Sequence, residues 1–167
     1  SARMKGVYSK ASSWTKTLQA SWTGMEGLKL GGSMTMNDAP RADVEGAEVD
    51  PVGVSLTEFN GTYSANNIYA RMEYGMIDYT NNPAGVESSS GYYVDLGYDI
   101  ASLVGCDDAN LYLWMRNSTY NKNDDGDATE ISLFGVTYKP MNNISFKFET
   151  GTKGDDDIMR VGLGYMF

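Results

Sequence analysis

Hydrophobic residues recur at every second position through most of this chain. In its last eleven residues Met159, Val161, Leu163, Tyr165 and Phe167 alternate with Arg160, Gly162, Gly164 and Met166. An extended strand sends successive side chains to opposite faces, so this segment has one apolar face and one small or polar face. The same period predicts ten strands: 3–9, 15–23, 27–36, 53–63, 67–79, 91–100, 111–120, 130–139, 143–150 and the closing segment. In 27–36, Leu28, Leu30, Gly32, Met34 and Met36 oppose Lys29, Gly31, Ser33 and Thr35. In 91–100, Tyr92, Val94, Leu96, Tyr98 and Ile100 oppose Tyr93, Asp95, Gly97 and Asp99. Segment 53–63 is irregular, because Val54 and Leu56 share one parity while Phe59, Gly61 and Tyr63 share the other; a β-bulge near Thr57 reconciles them. No stretch repeats every 3.6 residues, so no helix is expected. Pro40, Pro51, Pro83 and Pro140 all fall in predicted connections.

The connections alternate in character. Those at 24–27, 64–67 and 140–143 are short, and 101–110 is somewhat longer. The interleaved segments 37–52, 80–90, 121–128 and 150–157 hold twelve acids and three bases, a balance of 3 − 12 = −9 that equals the net charge of the whole chain. Confinement of acid to one set of loops disfavours a nucleic-acid partner. Short turns on one side and longer loops on the other are the pattern of an outer-membrane barrel, whose strands are about 9–11 residues long. We therefore expect an all-β, antiparallel transmembrane β-barrel over 1–167, with the final strand running from an acidic external loop toward the periplasm. The polar face of each strand would then line the interior. A soluble sandwich produces the same alternation with its apolar faces packed together.

Composition narrows the function. Hydrophobic residues make up 41% of the 167, and no apolar run approaches the roughly 18 residues of a membrane helix. The chain has no His, which removes Ser-His-Asp and Cys-His catalysis and every imidazole metal site. With no compact acid pair beside a nucleophile either, the sequence reads as a non-enzyme that needs no cofactor. Cys106 is the single cysteine, so no intrachain disulfide forms, and an inert thiol is expected. No secretory signal is visible, which suggests a processed form or a piece of something longer.

The run Gly91–Ile100 followed by Leu111–Arg116 resembles late strands of Gram-negative outer-membrane porins, most closely the phosphate-selective (OprO/OprP-like) porin superfamily. Phe134-Gly135-Val136-Thr137-Tyr138-Lys139-Pro140 with Asn143–Phe148 is similar to that family's penultimate hairpin, and Gly162–Phe167 to its terminal strand. The resemblance covers about 57–167. It implies a sixteen-stranded, homotrimeric channel in the outer membrane of a Gram-negative bacterium, embedded in lipid and lipopolysaccharide. It also implies that Tyr165 and Phe167 form a signal for the barrel-assembly machinery. About ten strands fit in this chain, so the expectation is the C-terminal part of a porin. The alternative is a small closed barrel with a structural, adhesive or complex-forming role through its acidic loops.

Candidate channel-lining charges are Arg71, Glu73, Asp95, Asp99, Arg116, Lys147, Glu149 and Arg160. Rings of charge select ions, but equal numbers of each sign favour mutual pairing and give no ground for anion selectivity. Asn121, Asn123 and Asp125 resemble the start of a calcium loop, although its twelfth position is Ser132 where a bidentate Glu is needed; a solvated loop is the expected state. Tyr63, Tyr79, Tyr92, Tyr98, Tyr120, Tyr138, Tyr165 and Phe167 lie near strand ends and could form interfacial girdles.

Overall fold

The computed structural model describes residues 13–39, 52–124 and 126–167. Its described part is a single antiparallel sheet in sequential order. The strands are β1 (Lys16–Met25), β2 (Leu28–Ala39), β3 (Val52–Ala65), β4 (Ile68–Thr80), β5 (Ser88–Asp99), β6 (Asn110–Asn121), β7 (Thr129–Met141), β8 (Ile144–Lys153) and β9 (Asp156–Tyr165). Nine of the ten expected strands are present. The first, 3–9, lies outside the described residues.

Local chemistry explains the hairpins. Asn66 and Asn67 both take positive φ, 54° and 62°, the geometry that a two-residue turn needs to match strand twist. Gly154, at φ 57°, closes β8 onto β9 in the same number of residues. That turn corrects one expectation: 150–157 is no long loop, because Thr150–Lys153 belong to β8 and Asp156–Asp157 to β9. The connection 100–109, on the side of the short turns, is the long exception. It contains a 3₁₀ turn at Ala101–Val104, a helical element that alternation could not reveal. Loop length alone therefore distinguishes the two rims imperfectly.

The expected bulge near Thr57 is absent. Residues 28–39 pair with 63–52, and 53–65 with 80–68, without a shift. Phe59, Gly61 and Tyr63 consequently share a face with Leu30 and Met72, whereas Val54 and Leu56 lie opposite Tyr79 and Ile77 on the other face. Unbroken backbone pairing on both sides of β3 outweighs the wish to gather its hydrophobic side chains on one face.

Burial is inverted relative to a soluble fold. On the apolar face Leu18, Met72, Leu96, Leu113, Phe134, Phe148 and Leu163 are exposed, Phe134 by 61% and Leu163 by 70%. On the polar face Asp95 is 7% and Glu149 6% exposed. Among the described residues the buried hydrophobics are Ala101 and Leu133, and Leu133 sits opposite Arg116 on the polar face. No second layer covers that face among the described residues. A single cavity on it reaches from Ser64 of β3 to Lys147 of β8.

Candidate functional site

The polar face of the sheet places seven of the eight candidate charges in two adjoining clusters. Asp95 faces Arg71 on one side and Arg116 on the other, because the three occupy one row across β4, β5 and β6. Arg116 grips Asp95 through two parallel bonds, Nε to Oδ1 at 2.5 Å and Nη2 to Oδ2 at 2.6 Å. This fork geometry is the strong form of an Arg–carboxylate pair. Tyr93 donates its hydroxyl to Glu73 at 2.8 Å, and its ring lies 4.9 Å from the Arg71 guanidinium and 5.2 Å from that of Arg116. Arg71 and Glu73 themselves approach to 3.8 Å.

The second cluster centres on Glu149. Lys147 reaches it at 2.6 Å from within β8, and Arg160 at 2.9 Å from the facing position on β9. One buried carboxylate thus serves two cations. The Lys147 ammonium also stands 4.4 Å from the centroid of the Trp114 ring. Trp114 lies flat because its partner on β7 is Gly135: a Cβ there would fall 2.1 Å from the indole. The indole N–H donates to Thr137 Oγ1 at 3.0 Å. Every charge in the two clusters has an opposite partner, as the even balance of signs suggested.

Asp99 stands apart. It accepts bonds from the backbone N–H of Ala101 and of Leu111, each at 3.0 Å, and from the Asn110 amide at 2.6 Å. Its carboxylate anchors the connection 100–109 at the rim of the sheet. Asn121 has a similar structural task, accepting from the Asn123 N–H at 3.0 Å and donating to the Gly126 carbonyl at 2.9 Å. Asp125 lies outside the described residues, and no group of three or more potential metal-ligating His, Cys, Asp or Glu occurs among those described. Asp124 instead accepts from the backbone of Glu87 and Ser88, tying two neighbouring loops together. Cys106 is a free, exposed thiol.

The apolar face carries an order that side-chain alternation alone did not reveal. At the end nearest the short turns, every odd-numbered strand turns one aromatic outward: Trp22 of β1, Tyr63 of β3, Tyr98 of β5, Tyr138 of β7 and Tyr165 of β9. Tyr165 lies opposite Ile144, and its ring centroid is 6.1 Å from that of Phe167. Toward the other end the same face becomes polar, with Ser55, Asp78, Ser88, Asn117, Ser132 and Thr152. An apolar band therefore runs around the sheet between an aromatic border and a hydroxyl-rich one. Two of the expected girdle residues, Tyr79 and Tyr120, lie on the polar face instead, since they pair with Val54 and with Gly91.

No protein-family model matches this chain, and no curated protein matches it.

Proposed function

We propose that this chain forms wall strands of an outer-membrane porin, a water-filled β-barrel through which small hydrophilic solutes diffuse. The inverted burial carries the reading. Large apolar side chains occupy the outward face, and ionised groups occupy the inward face. In water the outward face would be a continuous sticky surface far beyond the few hundred Å² that monomers usually expose. In a bilayer it becomes the solvent-matched face, and the aromatic border sits where a membrane–water interface favours Tyr and Trp. In hydrocarbon only sheets that close on themselves satisfy their backbone groups, so the reading requires further strands between β1 and β9. No helix of the described residues is long and apolar enough to cross a membrane.

In such a channel the charged wall would hydrate the path and set its field. Paired signs would make it weakly selective, and no phosphate preference is proposed. An assembly role for Tyr165 and Phe167, and a homotrimer in the outer membrane of a Gram-negative bacterium, belong to the same proposal. The test is single-channel recording of the complete polypeptide in planar bilayers. Discrete conductance steps are expected. A protein that inserts but never conducts would sink the channel reading, and one that stays monodisperse in water without detergent would sink the membrane reading.

A further inference from the structure

On the inner wall, between the two charge clusters, the sheet leaves a slot. In the row formed by Tyr69, Gly97, Trp114 and Gly135, the absence of a side chain at Gly97 opens a gap between the Tyr69 and Trp114 side chains. The cavity over it measures about 410 Å³, within the roughly 300–1,000 Å³ of small-molecule sites. A Cβ built at Gly97 would lie 3.3 Å from the Cβ of Trp114 and 3.8 Å from that of Tyr69, so any side chain at this position would narrow the gap.

The charges around the slot are unequal. Arg116, Lys139 and Lys147 line it together with a single acid, Asp95. Asp95 is committed to Arg116, and Lys147 to Glu149. Lys139 makes no ion pair among the described residues; its ammonium rests 5.7 Å from the centroid of Tyr112. Among the described residues, an ammonium with no carboxylate in direct contact, only Asp99 at longer range, therefore stands at one end of a cavity that Tyr69, Tyr112 and Trp114 also line.

We propose that this slot binds a small organic carboxylate with a flat apolar ring, its carboxylate on Lys139 and its ring over Gly97 between Tyr69 and Trp114. The proposal rests on the reading of this wall as the inside of a channel, which gives solutes access to it. A neutral solute would leave the Lys139 ammonium with no anion in direct contact, only Asp99 at longer range. Inorganic phosphate would satisfy the charge and leave the aromatic walls unused. A ring-bearing carboxylate matches both.

Benzoate, benzyl alcohol and inorganic phosphate separate these contributions. Binding is followed by calorimetry on the complete polypeptide folded in detergent micelles, and by interruptions of single-channel current in planar bilayers. Benzoate is expected to bind saturably and more tightly than either other probe. Lys139→Gln should weaken it roughly tenfold, the effect of one charge-assisted bond, and Lys139→Arg should retain it. Gly97→Leu should abolish it; if that variant fails to fold, as judged by heat-modifiable gel mobility, the Lys139 pair decides. Equal binding of benzyl alcohol, equal binding of phosphate, or indifference to Lys139→Gln would each overturn the site. A protein that conducts but ignores benzoate loses the site and keeps the channel. One that binds benzoate with the expected Lys139 dependence but never conducts keeps the site and loses the channel.

Discussion

Single residues on the polar face act through what their neighbours lack. The Trp114 indole can lie along the sheet only because Gly135 offers bare backbone beneath it. That flat ring is then held at two points, by its bond to Thr137 and by the Lys147 ammonium. Gly135→Val would drive the ring off the wall, and overpacking of this kind costs about 1–3 kcal/mol. The expected result is a lower urea midpoint for the protein folded in lipid vesicles, with a shifted tryptophan emission. A Cβ here would also fall 2.8 Å from the Phe148 carbonyl oxygen, so only the part of the penalty that the ring causes should be relieved when Gly135→Val is made in a Trp114→Ala background. A full penalty in that background would show that Gly135 is needed for its own backbone and not for the ring.

At the scale of the strand, the two faces obey opposite rules, and substitution exposes them. Leu96 of β5 lies on the apolar face, one position along that face from Tyr98, whereas Gly75 of β4 lies on the polar face with no atom within 4 Å of a built Cβ. Leu96→Lys places a charge in the apolar band and should cost about 2–4 kcal/mol in a bilayer. Gly75→Lys opens into free space and should change stability by less than about 1 kcal/mol. Vesicle-reconstituted unfolding curves measure both, and equal costs would remove the distinction between a lipid face and a water face. The strands themselves were legible because alternation is a local property. The closing strand was expected to begin at 157 and begins at Asp156; the expected 91–100 is β5, Ser88–Asp99. What stayed hidden depends on partners distant in sequence. Val54 and Leu56 looked misplaced until the register with β2 and β4 fixed the face of β3. The task of Asp99 depends on the backbone of Leu111, twelve residues onward. The aromatic border becomes visible only when strands of the same direction are compared at one end.

For the whole molecule the decisive quantity is the direction of the edge strands. Eight successive antiparallel pairings leave β1 and β9 running the same way, so direct pairing of the two would be parallel. Antiparallel closure requires an odd number of further strands between them, which gives an even total, as in bacterial outer-membrane barrels. The sheet carries its charges linked to opposite partners on one face, and if that face lines a channel, this fixes how the channel should respond to neutralisation. Glu149 balances both Lys147 and Arg160. Glu149→Gln therefore leaves two cations facing the interior, and the reversal potential in a KCl gradient should shift toward chloride. Arg160→Gln leaves the Lys147–Glu149 pair intact and removes one positive charge, so its shift should run toward potassium. Both shifts should shrink near 1 M salt, where the screening length falls to about 3 Å. If the two variants show the same reversal potential as the parent at low salt, these charges do not line the conducting path.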